Sequence, residues 1–358
     1  MRAALALARR GLGQTWPNPS VGCVLVAGGR VVGRGWTAKG GRPHAETRAL
    51  AMAGEAARGA TAYVTLEPCS HRGKTGPCAD ALIAAGVSRV VVSLEDPDPR
   101  VSGRGLQRLS RAGVEVCLGI CAEAAAEINA GFFQRVLKGR PLVTWKVASS
   151  LDGRIATHTG ESKWITGPAA RDAGHRLRAE NDAILVGSAT AVVDNPELTC
   201  RLPGLSDRSP VRVVIDGHLR LPLTSKLVST ASDLPTWVIT REDADPDRFE
   251  AYRDCGVTVI PVPLSGGGRI DLGAAMAELG QRGLTRILVE GGAHLAAALL
   301  RADLVDRVAW FRAPLLLGGD ALPAAVSFGI DQLAQAPRFT RLSVADMAGD
   351  LFEFFTRE

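Results

Sequence analysis

The sequence predicts an α/β protein organised as two domains, and three observations carry that prediction. Short apolar runs of strand length alternate with amphipathic helical stretches. A length of 358 residues is two to three domains' worth. The run Lys138-Gly139-Arg140-Pro141 interrupts the alternation where a linker belongs. The first domain is expected over 1–140 and the second over 141–358.

In order along the first half, Arg2–Arg10 reads as a helix stopped by Gly11. Ser20–Val26 and Arg30–Trp36 read as a hairpin turned at Gly28-Gly29. A helix over His44–Ala53 precedes a strand at Ala62–Leu66. A second helix, Cys78–Ala85, is closed by Gly86 and leads to a strand at Arg89–Leu94. Gly105–Ala112 is helical, Val114–Leu118 a strand, and Ala122–Leu137 the last helix of this half. The second half opens with a strand at Leu142–Ala148 and a helix at Pro168–Arg178, started by its proline. Strands follow at Ala183–Gly187, Val211–Asp216, Thr236–Thr240, Val257–Val262 and Arg286–Glu290, the last running into a helix at Ala293–Arg301. No internal repeat appears.

With 46% apolar and 22% charged residues the composition is that of a folded chain. No apolar run approaches the roughly 20 residues needed to span a bilayer, and the first residues lack a signal-peptide core. A cytoplasmic protein with no membrane partner is expected. Seven cysteines, odd in number and unevenly spaced, favour metal binding or free thiols over a disulfide framework. The net charge of +5 divides unevenly: residues 1–140 carry +9 and residues 141–358 carry −4. A basic front half suits either nucleic acid or a phosphorylated small molecule. Aromatic residues at 5% offer few platforms for stacked bases, and the acidic back half repels a phosphate backbone. A small-molecule partner and no nucleic acid is the better reading. Only six of the 42 basic residues are lysine, an excess of arginine that reads as genome composition.

The chemistry concentrates in His44-Ala45-Glu46, Pro68-Cys69 and Pro77-Cys78. Imidazole and thiolate are the donors zinc prefers, and three protein ligands leave a fourth position for water, whose pKa the metal lowers toward ~7. Hydrolytic chemistry at such a site also needs a proton shuttle. Glu46, in the first turn of a helix two residues after His44, stands beside the metal without ligating it. A helix start at Cys78 favours its thiolate. The alternative is two buried structural cysteines and a surface histidine.

His-x-Glu followed by Pro-Cys and a second cysteine is the zinc-deaminase signature, and residues 1–140 resemble a cytidine-deaminase-type domain. Eight residues separate Cys69 from Cys78 instead of two, which brings His71, Arg72 and Lys74 near the site. That longer loop and the run Thr15-Trp16-Pro17-Asn18-Pro19-Ser20-Val21-Gly22 resemble one family closely. Its members join a diaminohydroxyphosphoribosylaminopyrimidine deaminase to a 5-amino-6-(5-phosphoribosylamino)uracil reductase in riboflavin biosynthesis. The resemblance implies a cytidine-deaminase-like three-layer domain followed by a dihydrofolate-reductase-like α/β domain. It assigns the metal to His44, Cys69 and Cys78, the catalytic role to Glu46, and substrate contacts to Asn18, His71 and Lys74. Asn18 is otherwise an Asn-Pro turn former, and His71 and Lys74 a solvated basic loop. Cys23 reads as core, and Cys117, Cys121, Cys200 and Cys255 as structural.

In the second half Glu290-Gly291-Gly292-Ala293 is a glycine turn between a strand and a helix, where backbone N–H groups can approach a pyrophosphate. The resemblance there rests on Trp145–Arg154, Gly160–Thr166, Arg178-Ala179-Glu180, Asp182–Thr190, Asp194–Thr199 and Val289–Ala293. It implies NADPH as cofactor, held by Ala148, Trp164, Thr190, Asp194, Gly217 and the turn and helix Gly292, Ala293, His294, Leu295, Ala296, Ala297 and Ala298. It implies substrate contacts at Ser162, Arg178, Leu198, Arg201 and Glu290. Arg178 and Arg201 suit a bidentate grip on phosphate, Trp164 is either a flank for a planar ring or a core residue, and Glu290 is the first candidate for a proton donor. The expected reactions are zinc-hydrolytic deamination of 2,5-diamino-6-(5-phosphoribosylamino)pyrimidin-4-one and NADPH-dependent reduction of its ribosyl group to ribityl, in a homo-oligomer.

Overall fold

A computed structural model describes residues 1–71, 76–99 and 101–358. The chain forms two compact units, Met1–Arg140 and Pro141–Glu358. The first unit holds α1 (Arg2–Arg9), β1 (Gly22–Ala27), β2 (Arg30–Trp36), α2 (Ala45–Ala53), β3 (Thr61–Val64), α3 (Cys78–Ala84), β4 (Arg89–Val92), α4 (Arg104–Arg111), β5 (Glu115–Leu118) and α5 (Ala122–Lys138). Its sheet runs β2-β1-β3-β4-β5, with β1 antiparallel to both neighbours and β3, β4 and β5 parallel. The inward faces of these strands and of α2 and α3 make one core, with Leu25, Leu66, Leu82 and Leu109 sealed from solvent.

The starting end of β1, the finishing end of β2 and the finishing ends of β3 and β4 all lie on one edge of this sheet. Loops 17–21, 37–44, 65–69 and 93–98 therefore gather there.

The second unit begins with β6 (Leu142–Ser149), β7 (Arg154–Ala156), α6 (Pro168–Glu180), β8 (Ala183–Gly187), α7 (Ser188–Asp194), β9 (Val211–Ile215), α8 (Lys226–Ser229) and β10 (Thr236–Arg241). It continues with α9 (Pro246–Asp254), β11 (Thr258–Val262), α10 (Leu272–Gln281), β12 (Arg286–Glu290), α11 (Ala293–Arg301), β13 (Arg307–Arg312), β14 (Leu322–Pro323), β15 (Phe339–Met347) and β16 (Asp350–Arg357). The main sheet is ordered β11-β10-β9-β8-β12-β6-β13-β16-β15. Its first seven strands are parallel, and the last two add antiparallel. The central parallel strands read as unbroken apolar runs because both faces are covered: Ala183, Ile184 and Leu185 are 0% exposed.

Arg212, at 1% exposure, lies inside this unit. Its Nη1 and Nη2 donate to Thr230 Oγ1, Thr236 Oγ1 and the carbonyls of Leu227, Thr230 and Leu234, at 2.6–3.3 Å. The sequence reading named none of the strands β7, β13, β14, β15 and β16 and none of the helices α7, α8, α9 and α10. Phe339–Met347 is exposed along most of its length, so it carries no apolar alternation to find.

Glycine sets how closely α2 lies on the first sheet. A Cβ at Gly35 would fall 2.4 Å from the carbonyl oxygen of Ala45 and 2.8 Å from the nitrogen of Ala49. Gly35→Ala is expected to push α2 away from β2, destabilising the unit by about 1–3 kcal/mol. Thermal unfolding measures it, and an unchanged melting temperature contradicts the close-approach account.

Candidate zinc and cofactor sites

His44 caps the start of α2 with an extended backbone, Cys78 is the first residue of α3, and Cys69 lies in the connection between β3 and α3, five residues past the last residue of β3. His44 Nδ1 lies 3.2 Å from Cys78 Sγ and 3.7 Å from Cys69 Sγ, and the three donor atoms all sit within 4.8 Å of one another. Donors sharing one tetrahedral zinc stand about 3.5–3.8 Å apart, so imidazole and two sulfurs at these separations fit the ion. The backbone N–H of Cys78 donates to Cys69 Sγ at 3.3 Å. Hydrogen bonding from Cys78 and His44 lowers the Cys69 thiol, while the same bond and burial push Cys78 up. Cys69 likewise raises His44.

Glu46, in the first turn of α2, is 4% exposed. Burial, with the negative Cys69 beside it, lifts its carboxyl to about 7. A carboxyl poised there can both accept and release a proton near neutral pH.

His44, Glu46 and Cys69 open on a cavity of about 330 Å³ lined also by Asn18, Arg42, His71, Asp96, Asp98 and Arg135. Asn18 donates its side-chain N–H to the carbonyl of Gly41 at 3.0 Å, so it braces the loop before His44 as well as facing the cavity. His71 is exposed at the rim. Lys74 lies outside the described residues. Burial lifts Asp96 to about 6, against the N–H of Asp98 that donates to it.

Glu67 escaped the sequence reading. Its carboxylate is 4% exposed and accepts from the backbone N–H groups of Asp96, Gly103, Gly105 and Leu106 at 2.7–3.3 Å. One side chain thereby caps α4 and fastens the Pro68-Cys69 corner to the loop that carries Asp96. Its place directly before Pro68-Cys69 was the available signal.

Of the remaining cysteines, Cys23 is buried in β1 and Cys200 is buried. Cys121 is exposed at the start of α5. Among the described residues, His44, Cys69 and Cys78 form the one such metal-binding group.

In the second unit β12 ends at Glu290, and Gly291 and Gly292 follow with φ +77° and +78°. A Cβ on either would meet the Thr190 side chain, at 3.0 and 3.2 Å. No side chain caps α11, which starts at Ala293. Its first N–H groups and the bare turn make a cradle that fits a pyrophosphate. Leu295, Ala296 and Ala297 face the core, whereas His294 is exposed. Gly217 follows β9, its carbonyl taking the Thr240 hydroxyl at 3.2 Å.

Trp164 is 67% exposed, which excludes a core role, and the Arg171 guanidinium lies 4.8 Å over its ring. Ser162 is exposed on the same loop, Ala148 lies in β6, and Asp194 is the exposed last residue of α7.

Arg178 is placed differently from the expectation. Its Nε and Nη2 each donate to the Glu290 carboxylate at 2.8 Å, and Nη1 donates to the carbonyl of Thr199 at 2.9 Å. The fork expected on phosphate is thus taken by Glu290. Arg201 remains exposed, 3.7 Å from Glu197, and its backbone N–H donates to His175 Nδ1. Leu198 is buried at φ +55°.

Burial opposes ionisation of Glu290, but Arg178 and Lys146, its register partner on β6, outweigh it and hold the carboxyl at about 2. Glu290 thus stands as a carboxylate that accepts from Arg178.

The family profile described as "RibD C-terminal domain" matches residues 141–350, and that of the "Cytidine and deoxycytidylate deaminase zinc-binding region" matches residues 1–94. The chain is 44% identical to the riboflavin biosynthesis protein RibD of Escherichia coli, over 98% of this chain and 96% of that one. Acinetobacter baumannii RibD superposes with a TM-score of 0.89 at 40% identity, covering 100% of this chain and 98% of that one. A diaminohydroxyphosphoribosylaminopyrimidine deaminase/5-amino-6-(5-phosphoribosylamino)uracil reductase from Thermotoga maritima gives 0.86 at 34% identity, covering 100% and 97%.

Two outcomes are expected. Glu67→Gln should weaken zinc about 10–100-fold by chelator competition; unchanged affinity removes Glu67 from the support of Cys69. Because Glu290 titrates below its ordinary 4.5, its ionised form stabilises the fold at neutral pH, and that contribution drains away as pH falls from about 4.5 to about 2. Acid unfolding of Glu290→Gln should lack this component, and an identical acid limb contradicts the assignment.

Proposed function

The chain belongs to the RibD family of riboflavin-biosynthesis proteins, and from that premise we propose that deamination resides in Met1–Arg140 and reduction in Pro141–Glu358. It is a bifunctional deaminase and reductase using Zn²⁺ and NADPH, with a cytidine-deaminase-like first unit and a dihydrofolate-reductase-like second unit. The observation that carries the deaminase assignment is the convergence of His44, Cys69 and Cys78 beside a buried carboxyl. Its substrate is 2,5-diamino-6-(5-phosphoribosylamino)pyrimidin-4-one.

His44, Cys69 and Cys78 hold the ion. Bound zinc supplies a Lewis acid that makes water nucleophilic at neutral pH. Glu46 would take one proton from water and give it to the pyrimidine ring nitrogen, where it stays, and then carry the remaining hydroxyl proton to the departing amine, so that one water is consumed and one ammonia leaves. Asn18, His71 and Lys74 bind the substrate.

In the second unit Thr190, Gly291 and Gly292 seat the dinucleotide and Trp164 flanks it. When bound, NADPH supplies the hydride. Arg178 fixes the Glu290 carboxylate so that it meets amine or hydroxyl hydrogens of the substrate, and Arg201 and Ser162 take its polar groups.

No helix among the described residues is long and apolar enough to cross a membrane, and a cytoplasmic setting is part of the proposal. A homo-oligomer is part of the same proposal, supported by the open edge of β15 with Leu342 and Val344 exposed. No nucleic-acid partner is proposed.

Glu46→Gln is expected to abolish ammonia release while NADPH oxidation continues when the deaminated pyrimidine is supplied. Loss of both in folded, zinc-loaded protein overturns the assignment to two sites.

A further inference from the structure

Three arginines stand near the carboxyl ends of β9 and β10, outward from the glycine turn. Arg241 gives its fork to Asp243, and Arg248 donates Nε to the carbonyl of Leu219 at 2.6 Å. Arg220 is held differently. Its Nη2 donates to Ser188 Oγ at 2.8 Å, its Nε lies 3.9 Å from Asp216 Oδ1, and 63% of its side chain is exposed. Among the described residues its Nη1 meets no acceptor.

Ser188 opens α7 two residues before Thr190, the residue packed against the Gly291-Gly292 turn. Strands β12, β8 and β9 are adjacent and parallel, so the turn, α7 and the Arg220 loop lie in a row along the carboxyl edge of the sheet. Two strand spacings separate the ends of that row, roughly 10 Å. Open α/β sheets bind their ligands outside this edge. A pyrophosphate at Gly291-Gly292 whose adenosine runs toward β9 brings its ribose to Arg220.

We propose that Arg220, steadied by Ser188, recognises the phosphomonoester on the 2′-oxygen of the cofactor's adenosine ribose and so selects NADPH over NADH. The proposal rests on the reading of Gly291-Gly292 as the pyrophosphate turn. A guanidinium matches a phosphate with paired donors, which an ammonium does not. Ser188 Oγ accepts from Arg220 and keeps its own hydroxyl proton to give to the same anion. An acidic side chain reaching the ribose would instead favour the unphosphorylated cofactor. Asp216, at the end of β9, is 0% exposed, and its Oδ2 takes the N–H of Leu221 at 2.8 Å. Its Oδ1 stands 3.9 Å from Arg220 Nε, and the buried carboxylate offers the ribose nothing.

Titration calorimetry on the intact protein, with 2′,5′-ADP, 5′-ADP and ribose 5-phosphate as probes, tests this. The wild-type chain should bind 2′,5′-ADP at least about tenfold more tightly than 5′-ADP, and Arg220→Gln should weaken 2′,5′-ADP about 10–100-fold while leaving 5′-ADP unchanged. Arg220→Lys should recover only part of the loss. Equal wild-type affinity for the two nucleotides, or an equal loss of both in Arg220→Gln, overturns the proposal. So does a loss confined to ribose 5-phosphate, which would assign Arg220 to the substrate's phosphate. Failure of the wild-type chain to bind either nucleotide overturns the cofactor reading of the glycine turn itself.

Discussion

Two helix beginnings and one strand end meet at His44, Cys78 and Cys69, and backbone contacts rather than the metal donors bring them together. Gly35 lets α2 lie close on β2, which puts His44 and Glu46 at the sheet edge. Glu67 binds four backbone N–H groups and so fixes the corner that presents Cys69. Three soft donors and a carboxyl crowded into a buried space are costly for a chain to maintain unless something else holds the positions. Here the sheet and the Glu67 cap do that, and the chemistry follows from the crowding. Burial and the neighbouring sulfur give Glu46 an acidity suited to shuttling protons.

The second unit uses the same edge of its sheet for a different electrostatic purpose. Glu290 is kept ionised by Arg178 and by Lys146, which faces it from the adjacent strand. The pair leaves a fixed acceptor next to a bare glycine turn. One unit thus keeps a carboxyl near its neutral form and the other keeps one firmly charged. Burial acts on both, and the local partner decides the outcome: a negative sulfur for Glu46, two cations for Glu290.

How much of this was legible in the sequence depended on distance along the chain. His44 and Glu46 are two residues apart on one helix start, and each cysteine follows a proline, so local pattern was enough to find them. Glu67 was not found because its partners lie 29 to 39 residues downstream. The commitment of Arg178 to Glu290 spans 112 residues, and nothing near Arg178 announces it. The parallel strands were readable as apolar runs. The hairpin of β15 and β16 was not, because its outer strand is exposed and carries no two-residue rhythm. Trp164 looked as much like core as like a site residue until its exposure was known.

The buried Arg212 gives one part of the chain's arginine bias a meaning that composition alone did not. Its planar head fans out to five oxygens drawn from α8, the turn after it and the first residue of β10. Four of these contacts converge on Nη2 and one on Nη1, the two ends of a planar head that a lysine ammonium does not reproduce. A swap between the two basic residues, harmless on most of the surface, would leave carbonyls stranded in the interior here. Whatever set arginine usage across the sequence, this one answers to the oxygens around it.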